Sequence, residues 1–127
     1  MIYNNNGSSN YKVKFYQSSV TKKIPVLEYI EKLDSKNKAK VLKYIEFLQI
    51  HKGYLDEPYA KHIKGKIREL RIDFSRNHHS IFYFTLVGKN VILLHAFLKK
   101  TNKTPLAEIK KATENYIDTL NNAQIYG

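Results

Sequence analysis

Two runs of cationic side chains hold most of what could do chemistry in this sequence. Residues 61–80 carry Lys61, Lys64, Lys66, Arg68, Arg71 and Arg76 against only Glu69 and Asp73. Residues 99–111 carry Lys99, Lys100, Lys103, Lys110 and Lys111 against only Glu108. Cations gathered in this way suit a phosphate polymer, whose condensed counterions are released on binding. A solvated, solubilising surface is the plainer alternative. The whole chain of 127 residues carries +11, which puts a nucleic acid first. The five histidines form no His-x-x-x-His pair beside an acid, so no metal site is expected. Cysteine is absent, which excludes disulfides, thiolate nucleophiles and thiolate metal sites and fits the cytoplasm. No cofactor is expected.

The elements that must position these groups follow from periodicity. Residues 11–16 alternate with period two and predict a strand. Pro25 suits the first turn of a short helix with Val26, Leu27, Ile30 and Leu33 inward. Ser35 is a candidate cap for a second helix, which turns Val41, Leu42, Ile45 and Leu48 inward and ends at Gly53. The two helices are close enough in sequence to form a hairpin. Residues 54–66 read as a loop. Three strands follow, over 67–74, 79–87 and 91–98, the last apolar enough to be covered on both faces. Thr104 and Pro105 suit the cap and first position of a final helix, with Leu106, Ile109, Thr113, Tyr116 and Leu120 on one side. The predicted order is βααβββα, an α+β domain with a mainly antiparallel sheet over residues 11–121. Residues 1–10 read as a disordered polar tail with no signal-peptide pattern, and 122–127 as a loose C-terminal tail. No stretch is apolar enough to span a membrane.

Three stretches together carry a resemblance. They are Lys61-His62-Ile63-Lys64-Gly65-Lys66-Ile67-Arg68-Glu69-Leu70-Arg71-Ile72, then Ile81-Phe82-Tyr83-Phe84, then residues 93–105, Leu-Leu-His-Ala-Phe-Leu-Lys-Lys-Thr-Asn-Lys-Thr-Pro. The chain resembles the HigB-like, phage-derived branch of the RelE superfamily of bacterial toxins. The resemblance covers residues 11–120 and implies the RelE-like fold. It also implies a metal-independent endoribonuclease that cuts mRNA in the decoding site of the ribosome. The implied partner is a cognate antitoxin, a helix-turn-helix protein in this branch.

Cutting RNA through its 2′-hydroxyl requires deprotonating that group, stabilising a pentavalent phosphate and protonating the 5′-oxygen. The resemblance places Arg71 as a phosphate clamp, for which a planar fork is suited. The other reading of Arg71 is a surface ion pair with Glu69 or Asp73. The resemblance also places Lys99 and Lys100 where the family keeps basic active-site residues. Related toxins carry His or Tyr at the position of His79, which could transfer protons or simply pack at a strand edge. Lys61, Lys64, Lys66, Arg68, Arg76 and Lys103 are candidates for holding the RNA backbone. His95 reads as a hydrogen-bonded core histidine, His78 as an exposed one, and Tyr83 as either a base-stacking or a core aromatic.

Ser80 departs from the pattern. The family normally carries there an arginine counted among the most important active-site groups. The chain is therefore expected to be a weakened or inactive form, and Ser80→Arg to raise cleavage with little change in melting temperature. A catalytically dead RNA- or antitoxin-binding module of the same fold is the second reading. A DNA-binding domain ranks last for want of a recognition helix.

Overall fold

A computed structural model describes residues 10–127. The expected tail over 1–10 therefore lies, apart from Asn10, outside the described residues. The chain forms β1 (Lys12–Phe15), α1 (Pro25–Glu31), α2 (Ser35–Ile50), β2 (Ala60–Lys64), β3 (Ile67–Phe74), β4 (Asn77–Leu86), β5 (Asn90–Leu98) and α3 (Leu106–Asn121), then a short 3-10 turn, Ala123–Ile125. The strands make one sheet in the order β1-β5-β4-β3-β2. Among the described strands only β1 is parallel to its neighbour, with Val13 beside Val91 and Phe15 beside Leu93. The fold is α+β with a mainly antiparallel sheet, as the pattern predicts.

The helical hairpin α1–α2 covers one face of the sheet. Val26, Ile30, Val41, Ile45 and Leu48 pack there on Leu70, Ile72, Ile81, Tyr83 and Leu93. The other face carries Ile67, Phe82, Phe84, Ile92, Leu94 and Phe97 with Ala112 of α3. This explains why β5 is apolar throughout: both of its faces are covered. Helix α2 ends at Ile50 with His51 at its cap, and the left-handed turn expected of Gly53 is shared: Lys52 has φ +60° and Gly53 φ +80°, with the Gly53 N–H on the Leu48 carbonyl. A Cβ there would stand 2.6 Å from Thr85 Oγ1.

Several local expectations are corrected. The stretch read as a loop contains β2, whose lysines and histidine hide its period; a short, charged edge strand resists pairing with other chains. The cap of α2 is Asp34, whose carboxylate accepts the Asn37 N–H at 2.8 Å; Ser35 is the first helical residue. On α3, Pro105 rather than Thr104 holds the cap position, and no side chain caps it. Its inward residues are Ala112 and Thr119, with Ile109 and Tyr116 half-buried, while Leu106 and Leu120 are exposed. The tail is not loose. Tyr126 is buried and its hydroxyl accepts the Gln17 N–H at 2.9 Å, while Lys14 donates to its carbonyl.

Candidate functional site

Strand alternation puts Glu69, Arg71 and Asp73 of β3 on one face of the sheet, and pairing fixes what stands beside them. Arg71 lies opposite Ser80, and Ser80 opposite Phe97. Asp73 lies opposite His78, whose carbonyl accepts the Lys99 N–H. This is the α3 face, at the end where the loop before α3 crosses the sheet. Glu69 is 0% exposed there. A buried carboxylate must be paired and hydrogen-bonded, and four groups meet it. Lys99 Nζ stands 3.2 Å from Oε2 and Arg71 Nε 3.4 Å from Oε1. The Ser80 hydroxyl donates to Oε2, and the Thr104 hydroxyl lies 3.3 Å from Oε1. Thr104 thus serves the carboxylate instead of the helix.

Glu69 therefore holds two cations at fixed positions. The Lys99 side chain is only 8% exposed; that of Arg71 is 27% exposed. Arg71 uses Nε for Glu69, and its two terminal nitrogens have no hydrogen-bond partner among the described residues. That is the edge of a guanidinium which grips a phosphate. Arg71, Lys99 and Lys100 line one open cleft of about 320 Å³ together with Asp73, His78 and Asn102. Arg71 forms the ion pair with Glu69 that was the plainer of its two readings, and it also borders the cleft.

Residues 28–117 match the phage-derived Gp49-like proteins (DUF891). The chain belongs to that family. It is a toxin-like, RelE-related family used in toxin–antitoxin systems. No curated protein matches the chain.

The Gp49-like fold does not bring every expected residue to the cleft. His79 borders it, but the ring nitrogens are turned to the hairpin side of the sheet. Nδ1 lies 2.7 Å from the Tyr29 hydroxyl and Nε2 2.8 Å from Asn37 Oδ1. The Asn37 amide nitrogen donates to Asp34, and Oδ1 also accepts from Asn77. Nε2 must then carry the proton and Nδ1 accept from Tyr29. With both nitrogens engaged in the interior, His79 is a structural histidine. Burial holds its imidazole below the ordinary value of 6.5. On acidification below that value the unfolded chain binds a proton that the folded chain refuses, so stability falls. The urea midpoint should therefore drop from about pH 7.5 to about pH 5.5, and less steeply in His79→Gln. Equal slopes in the two proteins would show that His79 titrates freely.

Arg68 is likewise engaged. It donates to the Tyr83 hydroxyl at 3.2 Å and to the Leu55 carbonyl at 3.0 Å, and it lies 4.5 Å from the centre of the Tyr54 ring. Arg68 and the fully buried Tyr83 thus tie the 54–58 stretch to the sheet and belong to the hairpin-side core. His95 is the bonded core histidine expected, 2.6 Å from Glu108 of α3. Lys64 and Lys66 sit at the β2–β3 turn, on the order of 15 Å along β3 from Arg71. Lys61 stands opposite Glu69 on the edge strand. Arg76 and Lys103 are exposed in the turn and loop at the cleft end.

Sequence reasoning missed Glu69 as an organising group and passed over His78 and Asp73. A carboxylate two residues before Arg71 was visible, but nothing local said that α3 and its preceding loop would bury it. Among the described residues, no helix is long and apolar enough to cross a membrane, and no group of His, Cys, Asp or Glu could hold a metal ion.

Proposed function

We propose that this protein is the toxin of a type II toxin–antitoxin pair, of the HigB-like branch, and that it cuts messenger RNA on the ribosome without a metal ion. The observation that carries the reading is the cleft in which Arg71 and Lys99, both held on the buried Glu69, meet Lys100. Fixed cations of this kind stabilise the charge that develops on a phosphate during transfer, with no reorganisation at the moment of reaction. The lysines of β2 and its turn, with Arg76 and Lys103, would hold the rest of the backbone. The natural partner is a cytoplasmic antitoxin, a helix-turn-helix protein whose acidic side chains meet this surface and steer association. Expression of the chain without antitoxin should arrest growth and leave new 5′ ends in mRNA; normal growth with intact mRNA would overturn the reading.

Replacing Lys61, Lys64 and Lys66 together by Ala should weaken RNA binding. It should also lower the slope of log affinity against log salt by roughly 0.7–0.9 for each phosphate that these lysines no longer neutralise. Sequence preference should hardly change. Filter binding over a salt series checks this, and an unchanged slope would remove these lysines from the interface.

One observation favours a second reading, a weakened or inactive variant. Ser80 is 0% exposed and neutral where the family pattern carries an arginine, and its hydroxyl is spent on Glu69. Growth that continues while the chain still binds a neighbouring antitoxin would support this reading over the first.

A further inference from the structure

The second histidine of the His78-His79 pair is built into the core; the first stands at the cleft, outside the cluster on Glu69. His78 lines the cleft with Arg71, Lys99 and Lys100, and strand pairing puts it opposite Asp73, on the face that carries Arg71. Nδ1 lies 2.9 Å from Asp73 Oδ1, the side chain is 56% exposed, and Nε2 has no partner among the described residues. A carboxylate on one ring nitrogen fixes the tautomer, so Nδ1 carries the proton and Nε2 keeps its lone pair. The cluster on Glu69 supplies charge stabilisation but no base: its carboxylate is buried and saturated, and its other members are cations and hydroxyls. The cleft needs a proton acceptor, and among the described residues two groups there keep a free one, Asp73 Oδ2 and His78 Nε2; an imidazole is the side chain suited to taking and returning a proton near neutral pH, and the carboxylate orients it.

Resting on the ribonuclease reading above, we infer that His78 is the general base of this site and that Asp73 is its positioning residue. Nε2 takes the proton of a substrate 2′-hydroxyl. The 2′-oxygen forms a bond to phosphorus and the bond from phosphorus to the 5′-oxygen breaks. The 5′-oxygen takes a proton from water in the open cleft, and His78 later returns its proton to solvent. The products are a 2′,3′-cyclic phosphate and a 5′-hydroxyl end. Arg71, Lys99 and Lys100 face the phosphate meanwhile. The charged and titratable groups around the imidazole are Asp73 and Arg71 of β3, Lys99 and Lys100 after β5, Arg76 in the adjoining turn and, on the far face, His79. A pH profile of the site must be read against all of them.

The test is single-turnover cleavage of mRNA by the purified chain, with and without programmed ribosomes, across a pH series. His78→Gln should slow the chemical step by about 10²–10⁴ at saturation, with apparent affinity within a few-fold and melting temperature unchanged. It should also abolish the limb of the pH profile on which activity rises with pH. Asp73→Asn, which keeps the size of the side chain but weakens its hold on Nδ1, should cost less. If the wild-type chain cleaves and His78→Gln cleaves as fast, or loses only affinity, the inference is wrong and the ribonuclease reading stands. If the wild-type chain cleaves neither substrate, both fall. A substrate lacking the 2′-hydroxyl at the scissile nucleotide should resist the wild type, and its cleavage would also overturn the proposed step.

Discussion

Glu69→Gln should be the most damaging single substitution in this protein, destabilising it by about 3–5 kcal/mol. The carboxylate is fully buried, the Lys99 ammonium beside it nearly so, and Arg71 is three-quarters covered. Glutamine keeps the volume but removes the charge, which leaves two cations in the interior around one neutral amide. The attraction of a buried pair roughly offsets the cost of taking both ions from water; deleting one member exposes that cost in full. For a domain whose whole stability is about 5–15 kcal/mol, this is a large share. A urea titration at neutral pH measures it. Replacing Lys99 by Met in the same protein should recover part of the loss, because removing both members of a buried pair is often close to neutral. Activity should fall even where the protein stays folded, because the two cations would no longer be fixed. A displacement of about 1 Å can cost about 10²-fold in rate. A change under about 1 kcal/mol, with activity intact, would mean that the cations do not depend on Glu69.

Ser80→Arg is expected to raise mRNA cleavage by about 10²–10³, the usual worth of one preorganised donor at a charge-developing centre. Its second consequence corrects the expectation drawn from sequence. Ser80 is 0% exposed, between Arg71 and Phe97. An arginine there must push past the Thr104 loop and compete for Glu69 with the two cations already held. Overpacking of this order costs about 1–3 kcal/mol, so melting temperature should fall, not hold. The gain follows if the new fork reaches the cleft while Arg71 and Lys99 stay held on Glu69. Thermal unfolding and quantitative 5′-end mapping on the same preparations test both halves. Unchanged cleavage with lowered stability would show that Arg71 and Lys99 already supply the charge that an arginine at this position would add.

Much of the architecture was legible because hydrophobic period and turn residues act locally. The helical hairpin and four of the five described strands follow from such signals, as does the left-handed conformation of Gly53. The edge strand Ala60–Lys64 was hidden because the charge that protects an edge also erases the apolar alternation by which strands are read. The caps at Asp34 and Pro105 were each misplaced by one residue, within reach of an adjacent candidate that looked equally good. The inward face of α3 was displaced because small residues, Ala112 and Thr119, pack against the sheet while Leu106 and Leu120 stay outside. A reading that weights large apolar side chains turns such a helix the wrong way.

The cationic content of the site, its Arg71 and paired lysines, and its family pattern were determined by the sequence alone. Which neighbours they meet was decided only in three dimensions. His78 and His79 are adjacent, and a strand must send them to opposite faces. Both faces of β4 are apolar beyond them, so alternation could not say which histidine faces the cleft. Pairing with β3 decided it, by setting His78 against Asp73 and turning His79 toward Tyr29 and Asn37. Glu69 was settled in the same way. Its neighbours in sequence are Arg68 and Leu70, but the groups that make it the anchor of the site come from β4, the end of β5 and the loop before α3. Burial by elements distant in the chain turns an ordinary strand carboxylate into the charge around which the cations are arranged.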